Sequence, residues 1–160
     1  DEAYRRAVLG DGHVFRRVLA TDESFAHDYH KQRVVSARGE DTVLTDGFVL
    51  NWPRGSAVRV LQNSVTAAFG AELMGHDPDA IPREVIAHDG DIPRLRQSTD
   101  SPLRTSRGNL EAMALYAGQG IGEIRDIPAA GELLSRLVRQ ACRSLENMPD
   151  AGKFTGAANW

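Results

Sequence analysis

The chain has 160 residues, of which 41% are hydrophobic and 26% charged, with a formal net charge of −3. That is the composition of one ordinary globular domain; with no long Lys/Arg run it argues against a nucleic-acid partner, and no apolar stretch approaches the roughly 18–20 residues of a membrane helix. The single cysteine, Cys142, excludes an internal disulfide and fits a reducing, cytoplasmic setting.

In chain order, Glu2 to Leu9 reads as the tail of a helix closed by Gly10 and Gly12. The start at Asp1, without Met or a signal-peptide apolar region, reads as trimmed or internal. His13 to Ala20 is a short mixed run that suits a strand. Thr21-Asp22-Glu23-Ser24 supplies capping residues for a helix from about Phe25 to Ala37, ended by Gly39. Thr42 to Thr45 is β-branched and reads as a strand. Asn51-Trp52-Pro53-Arg54-Gly55 is a turn signal, and Asn63 or Ser64 caps a helix expected to run to about Met74.

Residues 76 to 108 differ in kind. Pro78, Pro82, Pro93 and Pro102 break them repeatedly, no helical period survives, and a long loop draped over another surface is expected. Asn109 caps a predicted helix over Leu110 to Ala117, broken by Gly118, Gly120 and Gly122 with glycine in the left-handed region. Pro128 suits a first helical position. The helix after it carries Leu134, Leu137, Val138, Ala141, Leu145 and Met148 on one stripe. Ala151 to Trp160 reads as a tail. Strong Val/Ile-rich parallel strands are missing, which suggests that the main sheet of this fold lies elsewhere.

Few constellations carry chemistry. His27 and His30 stand at i, i+3 with Glu23 and Asp28 near, but a metal needs ligands converging from another element, so an exposed polar face is expected and no metal site is assigned. Arg94, Arg96, Arg104 and Arg107 could clamp an anion; interleaved with Asp91 and Asp100 they read more simply as a solvated loop. Gly118-Gln119-Gly120-Ile121-Gly122 follows a predicted helix, where Walker and Rossmann fingerprints open one. Cys142 beside the apolar stripe reads as a buried, unreactive thiol, and Trp52 and Trp160 as packing residues.

Two stretches resemble the nitronate monooxygenase (2-nitropropane dioxygenase) family. One is Leu19-Ala20-Thr21-Asp22-Glu23-Ser24 with Ala26-His27, Tyr29-His30-Lys31 and Gly39-Glu40-Asp41-Thr42-Val43-Leu44-Thr45. The other is Asn109-Leu110-Glu111-Ala112-Met113-Ala114-Leu115-Tyr116-Ala117-Gly118-Gln119-Gly120-Ile121-Gly122 with the long final helix. Val58-Arg59-Val60-Leu61-Gln62-Asn63-Ser64 and Ser98-Thr99-Asp100-Ser101-Pro102 fit between them in order, so the resemblance covers roughly residues 17 to 147.

The resemblance implies an α/β fold, the C-terminal part of a (β/α)8 flavin barrel with trailing helices and a long loop, forming one segment over residues 1–160. A whole barrel takes roughly 250 residues. It implies FMN as cofactor and oxidation of alkyl nitronates by O2 to a carbonyl compound and nitrite. The family's catalytic histidine belongs to the N-terminal half, so no catalytic residue is assigned, and a missing N-terminal half or self-association is the expected partner. In the family the last strand ends in Gly-Thr-Arg, whose Gly-Thr backbone helps hold the FMN phosphate. Here Arg17 matches the arginine while Phe15 and Arg16 stand before it, so either Arg16 supplies the charge or the cradle is weakened. Tyr116 and Gln119 are implied to face the flavin pocket. Two rival expectations are an NAD(P)H-dependent flavin reductase on the same barrel and a non-catalytic half-barrel scaffold.

Overall fold

The computed structural model describes residues 19–50 and 52–146. The expected helix over residues 2–9, the strand over 13–20 for all but its last two residues, the cofactor residues Phe15, Arg16 and Arg17, and the tail over 151–160 lie outside them. The described chain is α/β, built of three helices and two small sheets. Both sheets are antiparallel, and the described residues contain no closed barrel.

Helix α1 runs Asp28–Ser36. Its cap is the His27 ring, whose Nδ1 accepts from the Tyr29 amide at 3.0 Å, and not the Thr21–Ser24 run. That run serves a distant element: Glu23 Oε2 accepts the amide of Ala130 at 2.8 Å, at the start of the last helix. A carboxylate there satisfies an open helix amide and complements the helix dipole. After a 3-10 turn at Gly39–Asp41, strand β1 spans Thr42–Thr45, as its β-branched sequence predicts. It pairs with β2, Val58–Leu61, in the register Thr42↔Leu61 to Thr45↔Val58. The connection carries the expected turn, with Trp52 N to Val49 O at 2.8 Å and Ser56 N to Pro53 O at 3.2 Å.

Helix α2 is Ser64–Phe69, capped by Asn63 through hydrogen bonds to its oxygen from the amides of Val65 and Thr66, both at 3.1 Å. It stops well short of the predicted Met74, because the chain turns after Phe69 to meet β1. There Asp46 accepts from the Gly75 amide at 2.7 Å and from the His76 ring at 2.6 Å.

Residues 76–108 depart most from expectation. They form no single draped loop. After a 3-10 turn at Pro78–Ala80 they fold into β3 (Val85–Asp89), β4 (Ile92–Leu95) and β5 (Ser106–Gly108), in the order β4-β3-β5. Pro93 is tolerated because β4 is an edge strand, where a missing amide leaves no ladder bond unmade. Gly108 is required: its φ is +124°, and a Cβ there would stand 2.7 Å from the Ala87 Cα and the Ile86 oxygen.

Two buried clusters meet on β2. Ala20, Val34, Ala37, Leu61, Leu115, Ala117, Ile121 and Ile124 form one; Phe48, Val58, Val60, Val65, Ala112 and Ala114 form the other. Leu61 and Val60 are neighbours in the chain and enter different clusters, as the alternation of side chains along a strand requires. The predicted helix over 110–117 is absent. One 3-10 turn covers Leu110–Ala112, and the chain then extends along the free side of β2, with Leu61 N to Leu115 O at 2.8 Å and Ala117 N to Arg59 O at 3.2 Å. Ladder bonds and burial outweigh the helix propensity of an Ala/Leu/Met-rich run, which amounts to only a few tenths of a kcal/mol per residue.

Helix α3, Ala130–Glu146, begins two residues after Pro128. Its stripe is largely uncovered: Leu134, Val138 and Leu145 are 64%, 55% and 65% exposed, and Leu133 is its only buried residue. Cys142 is exposed on this helix, which corrects the expectation of a buried thiol, and Trp52 is 47% exposed, so it is not a core residue.

Candidate functional site

Tyr116 lies where three parts of the chain converge. Its own segment is hydrogen-bonded to β2 on one side. On the other side stand residues 98–102 and α1. Ala114 N donates to Asp100 O at 3.3 Å. The Tyr116 hydroxyl donates to the Thr99 carbonyl at 2.8 Å. The Tyr116 carbonyl meets His30 Nε2 at 3.1 Å, and the other ring nitrogen of His30 lies 3.1 Å from Ser101 Oγ.

Burial sets the charge state of this group. His30 is 0% exposed, and desolvation pushes its pKa down to about 4, with the nearby Arg33 charge acting in the same direction against the bond to Tyr116. The ring is therefore neutral at neutral pH, with one donor and one acceptor nitrogen. A carbonyl only accepts, so Nε2 carries the proton, and Nδ1 accepts from the Ser101 hydroxyl. The expectation of an exposed polar face for His27 and His30 is thus corrected. His27 caps α1, and His30 falls on the buried face with Val34 and Ala37, at i, i+4 and i+7. Tyr116 is half-buried, and burial, with Asp100 beside it, raises its phenol to about 12. Its single hydroxyl proton is committed to Thr99, so towards any ligand the phenol offers an acceptor and a ring face.

Gln119 opens a 3-10 turn, Gln119–Glu123, and its side chain is exposed. Its backbone is pinned instead: a Cβ on Gly39 would lie 2.5 Å from the Gln119 oxygen, so only glycine allows the two turns to touch. The left-handed glycines expected here do not occur, since Gly118 has φ −125° and neither Gly120 nor Gly122 has positive φ. Tyr116 and Gln119 thus lie on one short segment on either side of Gly118, one tied into the core and the other presented to solvent.

The loop arginines are engaged. Arg94 bridges Asp89 at 3.0 Å and Asp100 at 2.9 Å, and Arg96 pairs with Glu84 at 2.7 Å. Arg104 donates to the carbonyls of Asp22 and Ser24, and Arg107 to those of Arg104 and Ser106. They brace the three-stranded sheet and do not converge on a common anion. Asp46 and His76 form a second polar pair. Burial raises the Asp46 carboxyl, but hydrogen bonds from the His76 ring and from the Gly75 and His76 amides outweigh it and hold the pKa below the ordinary value. No group of three or more metal-ligating side chains occurs among the described residues, and no described helix is long and apolar enough to cross a membrane.

Reading along the chain missed His30 and the Thr99 carbonyl as parts of this site. The signal available for His30 was its place on the Val34–Ala37 face. Thr99 stood within a run that fits the family resemblance, but nothing local gave it a role, because that role depends on a contact 17 residues away.

The family model of nitronate monooxygenases matches residues 13–140. The match spans well over half of the chain and includes both segments of the Tyr116 site: the chain belongs to the nitronate monooxygenase family, one of flavin-dependent oxidoreductases acting on nitro compounds. Among solved structures it is similar to nitroalkane oxidase from Streptomyces ansochromogenes, with 28% identity and a TM-score of 0.52 over 80% of this chain. It also matches a mutant of FabK from Thermotoga maritima, with 19% identity and a TM-score of 0.45 over 80% of this chain. In both cases the chain spans about a third of the other protein's length, 32%. No curated protein matches.

Proposed function

We propose that this chain is the C-terminal part of a (β/α)8 FMN enzyme that oxidises alkyl nitronates with O2 to a carbonyl compound and nitrite, acting together with an N-terminal half. The observation that carries this reading is the family match across residues 13–140; the likeness to a nitroalkane oxidase at 28% identity supports it. The donor set fits the cofactor. An exposed amide at Gln119 offers both donor and acceptor to a flavin edge, next to a half-buried phenol whose proton is already committed. FMN, when bound, would supply the electron transfer from nitronate to O2.

The residues of this chain would bind and orient. Gln119 is the group able to donate to an anionic nitronate. Tyr116 would form a wall of the mouth, held by Thr99. Phe15, Arg16 and Arg17, outside the described residues, would stand at the phosphate end, with Arg16 supplying the charge if the cradle is rebuilt. The catalytic base belongs to the other half.

The test is the flavin content and intact mass of the native protein, followed by FMN titration read by fluorescence quenching and by nitrite release from an alkyl nitronate under air. Bound FMN and nitrite are expected. A native protein that neither retains nor binds FMN overturns the enzyme reading and leaves a non-catalytic scaffold.

A further inference from the structure

The extended run from Ala114 to Ala117 has two hydrogen-bonding sides. One is satisfied by β2, through the Leu115 carbonyl and the Ala117 amide. The Tyr116 carbonyl belongs to the other side, where a further strand would ordinarily supply an amide. The described residues place no regular strand there; residues 98–102 lie alongside and take only the Ala114 amide, through the Asp100 carbonyl at 3.3 Å. The partner is a side chain, His30 Nε2, at 3.1 Å. The ring cannot swing away without a loss, because Nδ1 is tied to Ser101 Oγ at 3.1 Å and the residue is wholly buried.

The geometry points to His30 as a positioning residue: by standing in for the missing strand and holding the Tyr116 carbonyl, it sets where the Tyr116 ring faces the ligand mouth. The claim that the ring faces a flavin rests on the proposed function; the claim that His30 holds the ring in place does not. The phenol end meets the Thr99 carbonyl at 2.8 Å, a bond that forms only with the Tyr116 backbone held in place. His30 and Thr99 therefore grip one residue at its two ends, and Ser101, two residues beyond Thr99, orients the histidine. A side chain suits this task because a neutral imidazole gives one directed donor without adding a charge to the core. The arrangement also explains a buried histidine that no expected chemistry uses.

The test uses two variants of the full chain and a readout that needs no flavin. His30→Gln keeps a neutral donor of similar reach. His30→Leu keeps the volume and leaves the Tyr116 carbonyl without a partner. In protein labelled at the tyrosine Cζ, the Tyr116 resonance is identified by its loss in Tyr116→Phe. It is expected to move in His30→Leu, as the phenol leaves Thr99, and to stay close to the native position in His30→Gln. An unmoved resonance in a folded His30→Leu overturns the inference. Where His30→Leu fails to fold, Ser101→Ala replaces it: it frees the ring to turn without opening the core, and the same shift or its absence decides.

FMN titration adds a second arm. His30→Leu should weaken binding by about tenfold, the loss of one oriented contact. Tyr116→Phe should then add little in the His30→Leu background, whereas simple destabilisation of the fold would leave the two effects additive. Absence of FMN binding in every version would sink the proposed function, while the tyrosine resonance would still decide the role of His30.

Discussion

Acid is expected to destabilise this protein through His30, beginning at a higher pH than carboxylates do. The ordinary pKa of the ring is 6.5, and in the fold it lies at about 4, because burial penalises the charged form. A group whose folded pKa is depressed binds its proton more readily in the unfolded chain. Its full contribution is therefore present above about pH 6.5 and is lost as the pH falls towards 4, levelling off below that. Each tenfold change in proton affinity corresponds to about 1.4 kcal/mol, so the complete loss is about 3 kcal/mol, of which about 2 kcal/mol should be gone by pH 5. Urea unfolding at about pH 7.5 and about pH 5 measures this directly. His30→Gln, with nothing to titrate, should flatten the profile over that interval even if it lowers stability throughout. Asp46 does not interfere between these two pH values, because a carboxyl whose folded pKa is depressed keeps its full contribution until the pH falls to the ordinary carboxylate value, and loses it from there downwards. A native profile as steep in His30→Gln as in the wild type would refute the assignment of a buried, neutral His30.

Asn63→Ala should cost about 2–3 kcal/mol in the same assay, because it removes the α2 cap and leaves the buried Met113 carbonyl and the partly buried Glu111 carbonyl without their donor. Gly39→Ala should destabilise by about 1–3 kcal/mol, since its new methyl would meet the Gln119 oxygen at 2.5 Å. Under the proposed function it should also lower FMN affinity by displacing Gln119, and a variant as stable as the wild type would refute the close contact. Replacing Phe15-Arg16 by Gly-Thr should tighten FMN if the phosphate cradle has weakened, because glycine lets backbone donors approach, and should loosen it if Arg16 has become the phosphate partner; flavin titration reads the sign.

Features set by neighbouring residues were legible in the sequence. The β-branched run Thr42–Thr45 is a strand, Asn63 is a cap, and the long apolar period after Pro128 is a helix. The three-stranded sheet within residues 76–108 was not legible, because its strands lie on the surface. Val85 and Ile92 are 48% and 57% exposed, so no apolar alternation marks β3 or β4, and Pro93 resembles a break unless the strand is known to be an edge. The Tyr116 segment misled in the opposite direction: its composition favours a helix, and only the edge of β2, some 55 residues earlier, makes it extended. The resemblance drew attention to Tyr116 and Gln119; in the fold the first is half-buried and held by Thr99, the second exposed on a 3-10 turn.

The run from Glu111 to Ala117 owes its shape to donors supplied from elsewhere. Having given up the helix, it cannot satisfy its own carbonyls, and buried carbonyls without partners would each cost about 1–3 kcal/mol. Asn63 Nδ2 serves Glu111 and Met113, at 2.8 and 3.0 Å. The Leu61 amide serves Leu115, and His30 serves Tyr116. Two of these three donors are polar side chains buried in an otherwise apolar core. Such groups contribute little net stability compared with apolar packing, but they act in fixed directions, and a segment held by directed bonds has one position instead of several. Under the proposed function that is the property a ligand-facing segment needs, and it would make Asn63 and His30 sensitive positions for FMN binding although neither is placed to touch a substrate.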